Sequence, residues 1–173
     1  MDAIEAIKTR FSVRNYISKN IPYEIVKEII ELGMNAPSAG NQKPWHFIVI
    51  DDKDIMNKIP NFHIHSKMLK KASLAILVCF DINLEKHKGM AVQDCSAATE
   101  NILIAANAKG LGSVWLGIYP RDERIEGMRE LLKIPKNIMP FSLIALGYPK
   151  KGYKKERIIE IDRVHYNKWK NMF

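Results

Sequence analysis

An unbroken run of apolar residues, Leu74 to Phe80, lies near the middle of the chain. A strand with one face in water alternates apolar and polar residues, whereas a strand covered on both faces is apolar throughout. The run has the length of a strand and is far shorter than the ~20 residues of a membrane-spanning helix. It therefore predicts an inner strand of a sheet that carries helices on both sides.

The segments around this run supply the other strands and the helices that such a sheet needs. Asp2 and Glu5 resemble a capping box for a first helix, and Pro22 stands at the start of a second. Gly110 follows an alanine-rich helical stretch, as a C-terminal glycine commonly does. The patterns predict helices over 3–9, 22–34, 54–59, 64–71, 90–109 and 122–132, and strands over 45–50, 74–80, 113–116 and 141–147. No repeat or linker divides the chain, so we expect one α+β domain over residues 1–173, with a mixed central sheet of four to five strands flanked by helices on both faces.

Composition and charge restrict the functional class. The chain has 173 residues, of which 47% are hydrophobic and 27% charged, as in an ordinary globular protein. The formal net charge is +8, but the lysines are scattered and not interleaved with aromatic residues, which predicts solvated faces and no nucleic-acid partner. The same positive field would attract anionic cofactors. The N-terminus lacks a basic, apolar leader and no run could span a membrane, so we expect a cytoplasmic protein with no membrane partner.

Cysteine and histidine patterns argue against a metal centre. Cys79 lies in the apolar run and Cys95 in a helical pattern, without CxxC spacing, so we expect two reduced thiols in the core. The five histidines lack the spacing of a zinc site. Asp94, in the long helical stretch, is expected to help begin that helix or to pair with a cation, not to act as a base.

Two short polar segments are the best candidates for a ligand site. Residues 37–41 read Pro-Ser-Ala-Gly-Asn and separate a helical pattern from a strand, so they predict a tight loop with exposed backbone donors. Such a loop has little side-chain bulk and can approach a flat polar ligand closely. Arg10, Ser12 and Arg14 place two cations and a hydroxyl in one short stretch, which suits a phosphate group.

Five motifs, in order along the chain, resemble those of the nitroreductase family. They are Arg10-x-Ser-Val-Arg14, Ala36-Pro-Ser-Ala-Gly-Asn-Gln-x-Pro-Trp45, Gly110-Leu-Gly-Ser-Val-Trp-Leu-Gly117, Leu146-Gly-Tyr-Pro149 and Val164-His-Tyr-Asn-Lys-Trp169. Each alone is weak evidence, but five in the family's order are specific. Members of this family bind FMN. The resemblance therefore implies a nitroreductase-like fold, FMN as cofactor, and NADH or NADPH as electron donor.

The resemblance implies that basic residues hold the phosphate end of FMN. Arg10 and Ser12 would bind the phosphate and the ribityl chain, and Arg14 would lie nearer the pyrimidine edge of the ring. Phe11 stands where many relatives have another arginine, which leaves one phosphate contact open. Several cations near the C-terminus are candidates for a further phosphate contact, and Arg157 is preferred over Lys155.

The resemblance implies that backbone groups and small residues contact the isoalloxazine ring. Leu116 and Gly117 match the strand end whose amides approach flavin N5 and O4. Lys43 faces either the pocket or solvent, and the sequence does not decide between them. No side chain is implied as a catalytic acid, base or nucleophile, because the flavin carries the chemistry. The loop residues that match the family's lining of the ring and ribityl chain are Pro37, Ser38, Ala39 and Asn41.

The implied activity is that of an FMN-dependent oxidoreductase. Hydride would pass from NAD(P)H to flavin N5 and then, after the donor leaves, to a small organic acceptor resembling a nitroaromatic or a quinone, in a ping-pong reaction. Two alternatives stay open for the same fold. One is a specialised flavoenzyme of dehalogenase-like or flavin-fragmenting type, and the other is a non-catalytic flavin-binding protein.

The C-terminal segment, residues 153–173, differs in character from the rest of the chain. It follows a run of lysines and carries apolar residues that must be buried either on the domain's own surface or on a partner. These apolar residues are Ile158, Ile159, Ile161, Val164, Tyr166 and Trp169. In nitroreductases the C-terminal arm wraps around the second subunit, so the resemblance implies a homodimer with FMN at the subunit interface.

Overall fold

A five-stranded sheet and five α-helices make up the chain in the computed structural model, which describes residues 1–150 and 159–170. The α-helices are α1 (Ala3–Thr9), α2 (Tyr23–Met34), α3 (Lys53–Lys58), α4 (Ala91–Ala108) and α5 (Asp122–Leu132). The strands are β1 (Tyr16–Ile17), β2 (Trp45–Ile50), β3 (Leu74–Asp81), β4 (Gly112–Gly117) and β5 (Ile138–Pro149). Short 3-10 helices cover Ala39–Asn41, Ile59–Asn61, Ile64–Lys70, Ile82–Leu84 and Ile161–Arg163.

β3 and β5 form the centre of the sheet. β3 pairs with β2 along one edge and with β5 along the other. The far edge of β5 pairs with β4 and, nearer its C-terminal end, with the short β1. These four pairings are antiparallel, and within the described residues the parallel component is an isolated bridge between Ser12 and Ser113. The sheet has five strands, as expected, but its strand pairings are antiparallel and not mixed, apart from this isolated bridge.

β3 is buried on both faces, which confirms the interpretation of its composition. Leu74, Ile76 and Val78 belong to a core shared with α2 and α4. The alternate residues Leu77 and Cys79 belong to a second core, on the opposite face, shared with α3 and α5. Helices thus cover both sides of the sheet, and the predicted α+β architecture is confirmed.

Both cysteines are free and buried, as predicted. Burial raises the pKa of the Cys79 thiol to about 12 and also raises the pKa of Cys95. Thiolate formation near neutral pH is therefore unfavourable, and both residues serve as small apolar residues of the core.

The observed helices and strands agree closely with the predicted ones, but β1 was not predicted, since two residues are too few to show a periodic pattern. The stretch predicted as a helix over 64–71 is a 3-10 helix, Ile64–Lys70. β5 extends beyond the predicted 141–147 at both ends, since its first residues pair with the end of β3 and its last two with β1. Pro140 within β5 lies at a register shift, which is where a residue without an N–H is tolerated.

The alanine-rich helix α4 packs closely against α2. A Cβ at Gly33 would lie 2.7 Å from Cγ1 of Ile102, so the two helices approach nearer than a larger residue at Gly33 would allow. None of the described helices is long and apolar enough to cross a membrane.

The described part of the C-terminal segment leaves its apolar side chains exposed. Its residues 159–170 contain one 3-10 helix and no strand. Trp169 is 79% exposed and Ile159 is 77% exposed. The other exposed apolar residues of the segment are Ile161, Val164 and Tyr166. Over residues 159–170, these side chains are therefore not buried on the protomer's own surface, and Ile158 lies outside the described residues.

Candidate functional site

A cavity of about 450 Å³ lies at the C-terminal end of β4. Three of the predicted site residues, Arg14, Leu116 and Gly117, line it together. The opposite wall comes from the 3-10 helix Ile64–Lys70, and Arg124 of α5 closes one side. The cavity therefore combines three segments. Two of them, residues 10–14 and the end of β4, were assigned to one site by the sequence analysis, and the third, the 3-10 helix Ile64–Lys70, was not.

The cavity is strongly cationic. Arg14, Lys67 and Arg124 line it, and no carboxylate is among its lining residues. The Arg14 side chain is exposed, and its Nη1 donates to the carbonyl of Ser12 at 3.3 Å. The Nη1 of Arg124 donates to the carbonyl of Gly117 at 2.6 Å. A negatively charged ligand is therefore favoured here over a cationic one.

The alternation of hydrogen bonds along β4 points the amide of Gly117 away from β5. The N–H of Ile118 donates to the carbonyl of Phe141, and in an antiparallel pair the neighbouring residue faces the other way. The Gly117 carbonyl, which accepts from Arg124, follows the same rule. The Gly117 N–H is thus directed to the open edge of β4, whereas the Leu116 N–H faces β5. Of the two amides predicted to approach a ligand, Gly117 has the suitable direction.

The segment 10–14 runs along the open edge of β4. The N–H of Val13 donates to the carbonyl of Ser113 at 2.9 Å, and Ser12 bridges to Ser113. Arg10 ends α1, and its Nε lies 3.2 Å from Oε1 of Glu100 on α4. The predicted phosphate ligands Arg10 and Ser12 therefore lie on the same extended segment as Arg14, and Arg10 already holds an ion pair.

The loop 37–43 has a strained and internally bonded backbone. Gly40, Asn41 and Lys43 have φ of +53°, +55° and +45°, in the left-handed region that non-glycine residues rarely adopt. A side chain at position 40 would also overlap the imidazole of His87. The N–H of Lys43 donates to Oγ of Ser38 at 3.1 Å, which closes the loop on itself.

Asp94 lies in the first turn of α4, in line with the first of its two expected roles, and it also anchors this loop. Its Oδ1 accepts from the N–H of Ala39 at 2.9 Å and its Oδ2 accepts from Nε2 of Gln42 at 2.6 Å. Gln42 in turn accepts from the N–H of His87 through Oε1 at 3.0 Å. Asp94 is only 4% exposed, so its negative charge is stabilised by neutral donors.

The predicted exposed backbone donors of the loop are therefore mostly occupied. The amides of Ala39, Asn41, Gln42 and Lys43 all donate within the protein. No hydrogen bond among the described residues occupies the amide side chain of Asn41, which is exposed. The loop therefore offers a ligand its side chains and its shape, and few free N–H groups.

The loop does not line the cavity of its own protomer. It leads into β2, which lies at the opposite edge of the sheet from β4, with β3 and β5 between them. At the usual strand spacing the two edges are separated by ~14 Å. None of Pro37, Ser38, Ala39 or Asn41 is among the residues that line the cavity. The predicted Arg157 lies outside the described residues.

Three cavity residues of functional interest escaped the sequence analysis: His63, Lys67 and Arg124. The sequence analysis expects the lysines to lie on solvated faces and does not single out Lys67, and Arg124 is brought to Gly117 only by the packing of α5 against the sheet. His63 is 1% exposed, and no well-formed hydrogen bond reaches either ring nitrogen from the described residues. Burial, with Arg124 and His65 nearby, lowers the pKa of His63 to about 4, so its ring is neutral at pH 7. No signal in the sequence distinguished these residues from ordinary surface and core positions.

Side chains able to hold a metal ion do not cluster in the described part of the chain. No group of three histidine, cysteine, aspartate or glutamate residues there has a suitable arrangement.

Comparison with known proteins places this arrangement in a family. The sequence model of the nitroreductase family matches residues 7–75 and 62–148. A protein of Methanothermobacter thermautotrophicus, provisionally named NADH dehydrogenase/NAD(P)H nitroreductase, is 47% identical over 169 residues, covering 98% of this chain and 88% of the relative.

Two solved structures extend the comparison to the fold. A protein with the same provisional name from Parabacteroides distasonis has a TM-score of 0.92 and 35% identity, and the match covers 96% of this chain and 98% of that one. A provisionally named nitroreductase of Desulfovibrio desulfuricans, solved in complex with FMN, has a TM-score of 0.78 and 30% identity, with coverage of 92% and 93%. The chain described here therefore belongs to the nitroreductase family.

Proposed function

We propose that this protein is an FMN-dependent oxidoreductase that takes hydride from NADH or NADPH and reduces a small organic acceptor. The observation that carries the proposal is the cationic cavity at the end of β4, with Arg14, Lys67 and an outward-facing Gly117 amide on its walls. Family membership and the FMN-bound relative support the same conclusion.

The residues present fit the chemistry of FMN. Arg10 and Ser12 would hold the phosphate and ribityl end, since they lie on the extended segment beside β4. Arg14 and Lys67 would place positive charge at the pyrimidine edge, where negative charge builds up when a flavin is reduced. The Gly117 N–H would donate to the N5 and O4 edge of the ring. When bound, FMN supplies the hydride transfer chemistry, so no acidic or nucleophilic side chain is needed.

We propose further that the site is completed in a homodimer. The loop 37–41 is separated from the cavity of its own protomer by the width of the sheet, and a second copy would bring a second loop. The exposed apolar residues of 159–170 and a shallow apolar surface on α1, α2 and α4 offer area for such an interface. In this proposal the chain is one domain, and residues 153–173 form an arm that packs on the partner. Two buried free thiols are consistent with a cytoplasmic protein.

The acceptor is proposed by class only. A cationic cavity favours acceptors that carry or develop negative charge, as nitroaromatic compounds and quinones do on reduction. Donor and acceptor would use the same open face in turn, which corresponds to a ping-pong reaction.

The test is an absorbance spectrum of the purified protein, repeated without oxygen after addition of NADH and then of NADPH. We expect a flavin band that one or both donors bleach. A flavin band that neither donor bleaches would favour a specialised flavoenzyme or a non-catalytic flavin-binding protein. A colourless protein that takes up no added FMN would refute the proposal.

A further inference from the structure

A second cavity, of about 340 Å³, lies at the other end of the sheet from the cavity at the end of β4, which is called the cofactor cavity below. It is bordered by the start of β3, where the N–H of Ser73 donates to the carbonyl of Leu146, and by residues that follow β1. The cofactor cavity adjoins Gly117, which is opposite Ser142, so the two cavities flank different ends of β5. The 3-10 helix Ile64–Lys70 reaches from one cavity to the other.

Four lysines line this second cavity: Lys19, Lys53, Lys70 and Lys71. Neutral hydroxyl and amide side chains complete the polar lining, and no carboxylate is among the lining residues. In the part of the chain that the structure describes, none of the four lysines takes part in an ion pair. Asp52, the carboxylate next to Lys53, is not among the lining residues and caps α3 by accepting from two amides of that helix.

Two of the lysines are fixed by the fold. The Nζ of Lys53 donates to the carbonyls of Ala72 and Ser73 at 2.6 and 2.9 Å. The Nζ of Lys19 lies 4.2 Å from the centre of the Tyr148 ring, in a cation–π contact, and the Lys19 carbonyl accepts from Oγ of Ser73. Their charges are therefore held at defined positions at the cavity rim.

The other two lysines have no such partner. Lys70 and Lys71 end the 3-10 helix, are exposed, and make no side-chain hydrogen bond within the described residues. Four ammonium groups around one concavity repel each other, and an anion with several acceptor oxygens would relieve that repulsion while bridging the fixed and the free pair.

We propose that this cavity binds a phosphate-bearing anion, with a diphosphate group as the best match. A diphosphate has more oxygen acceptors and more negative charge than a single carboxylate, so it can engage lysines on both sides of the cavity. Tyr148 is covered by Lys19, and Tyr16 is buried with its hydroxyl donated to the carbonyl of Val13, so the lining offers no free aromatic face for stacking a base. The phosphate group, free or as part of a nucleotide, is therefore what this site recognises.

The experiment is a calorimetric titration of the purified protein, with and without added FMN, with pyrophosphate in phosphate-free buffer, and backbone amide NMR spectra locate the ligand. We expect saturable binding and shifts at the amides of Ser18, Asn20 and Ser73. The variant Lys70→Gln/Lys71→Gln should weaken binding by about tenfold, because two charge-assisted contacts are lost. The matched control Lys133→Gln/Lys136→Gln removes the same net charge from exposed positions elsewhere and should change affinity less than about twofold.

A parallel titration with ADP separates the two sources of the diphosphate. Tighter binding of ADP would assign the site to a nucleotide, and equal or weaker binding would assign it to free diphosphate. The proposal is overturned if pyrophosphate shows no saturable binding, if both lysine pairs weaken binding equally, or if the shifted amides are confined to residues 10–14. Because the spectra locate the ligand directly, the result does not depend on whether FMN binds as proposed above.

Discussion

If the proposed function is correct, the Arg10 side chain interacts with two anionic groups. One is the carboxylate of Glu100, 3.2 Å away, and the other is the phosphate of FMN. The ion pair is partly exposed and contributes little to stability by itself. A charge-assisted contact to phosphate is worth roughly 1.5–3 kcal/mol. We therefore predict that Arg10→Ala weakens FMN binding by roughly tenfold to a hundredfold, as measured by fluorescence titration of the apoprotein.

The matched control for Arg10 is Glu100→Gln, which removes the ion pair and keeps the cation. It should leave FMN affinity unchanged or slightly higher, since Arg10 is then free for the phosphate. Equal loss of affinity in both variants would mean that Arg10 acts through the ion pair, and unchanged affinity in Arg10→Ala would contradict its assignment.

His63 makes the free energy of unfolding depend on pH, and the shift of its pKa sets the sign of this dependence. Its pKa is about 4 in the folded protein and near 6.5 in an unfolded chain, so the unfolded state binds more protons between these values. The contribution of His63 to stability is complete above pH 6.5 and is lost as the pH falls towards 4. The loss is at most about 1.4 kcal/mol per pH unit for one proton.

We predict that urea unfolding at pH 7, 6 and 5 shows a steeper loss of unfolding free energy in the native protein than in His63→Gln. Carboxylates titrate in both proteins, so the difference between the two slopes isolates His63. The control His46→Gln, at an exposed histidine on β2, should keep the native slope. Identical slopes in all three proteins would show that His63 is not held neutral by its site.

At the scale of elements, the loop 37–43 depends on a chain of donors and acceptors with a fixed order. Ala39 and Gln42 donate to Asp94, and Gln42 accepts from His87. Asp94→Asn places an amide NH₂ group opposite the NH₂ group of Gln42, leaving one contact unmade. We predict a cost of roughly 1–3 kcal/mol in unfolding free energy, together with weaker FMN binding.

The order of donors can be restored by a second substitution. In Asp94→Asn/Gln42→Glu, the new amide donates to the new carboxylate, which still accepts from the N–H of His87. We expect the double variant to regain stability and FMN affinity relative to Asp94→Asn, measured by urea unfolding and fluorescence titration. If the double variant is no better than the single one, the hydrogen-bond chain is not what holds the loop.

Elements set by local patterns could be predicted from the sequence. α1, β2 and α5 have the predicted bounds, since the Asp2 cap, the apolar run after Pro44 and the acidic start of α5 are local signals. The site was predictable only in its local parts, the segment 10–14 and the end of β4. The contacts of Asp94 with the loop and of Arg124 with Gly117 join residues from different elements. Such contacts depend on helix packing and leave no periodic trace in the sequence.

At the scale of the whole molecule, two features of one protomer bear on the proposed homodimer. The loop 37–41 lies away from the cavity of its own protomer, and the apolar residues described over 159–170 are exposed. A homodimer in which each arm packs on the other subunit would resolve both at once. Cofactor binding and dimer formation should then be linked, because whatever favours the dimer also completes the site.

This linkage is tested by Ile161→Asp, at a side chain that is 56% exposed in the protomer. The change should leave the fold of the protomer intact and weaken the dimer on the order of a hundredfold, because an apolar contact is lost and a charge is placed in the interface twice per dimer. Sedimentation velocity read at 280 nm and at the flavin band should show monomer formation and loss of bound FMN together. Ile82→Asp is the matched control, since Ile82 also begins an exposed 3-10 helix and its substitution should leave both signals unchanged.

Deletion of residues 158–173 should reproduce the effect of Ile161→Asp more strongly. A truncated protein that remained dimeric and yellow would mean that the arm neither holds the dimer nor completes the site.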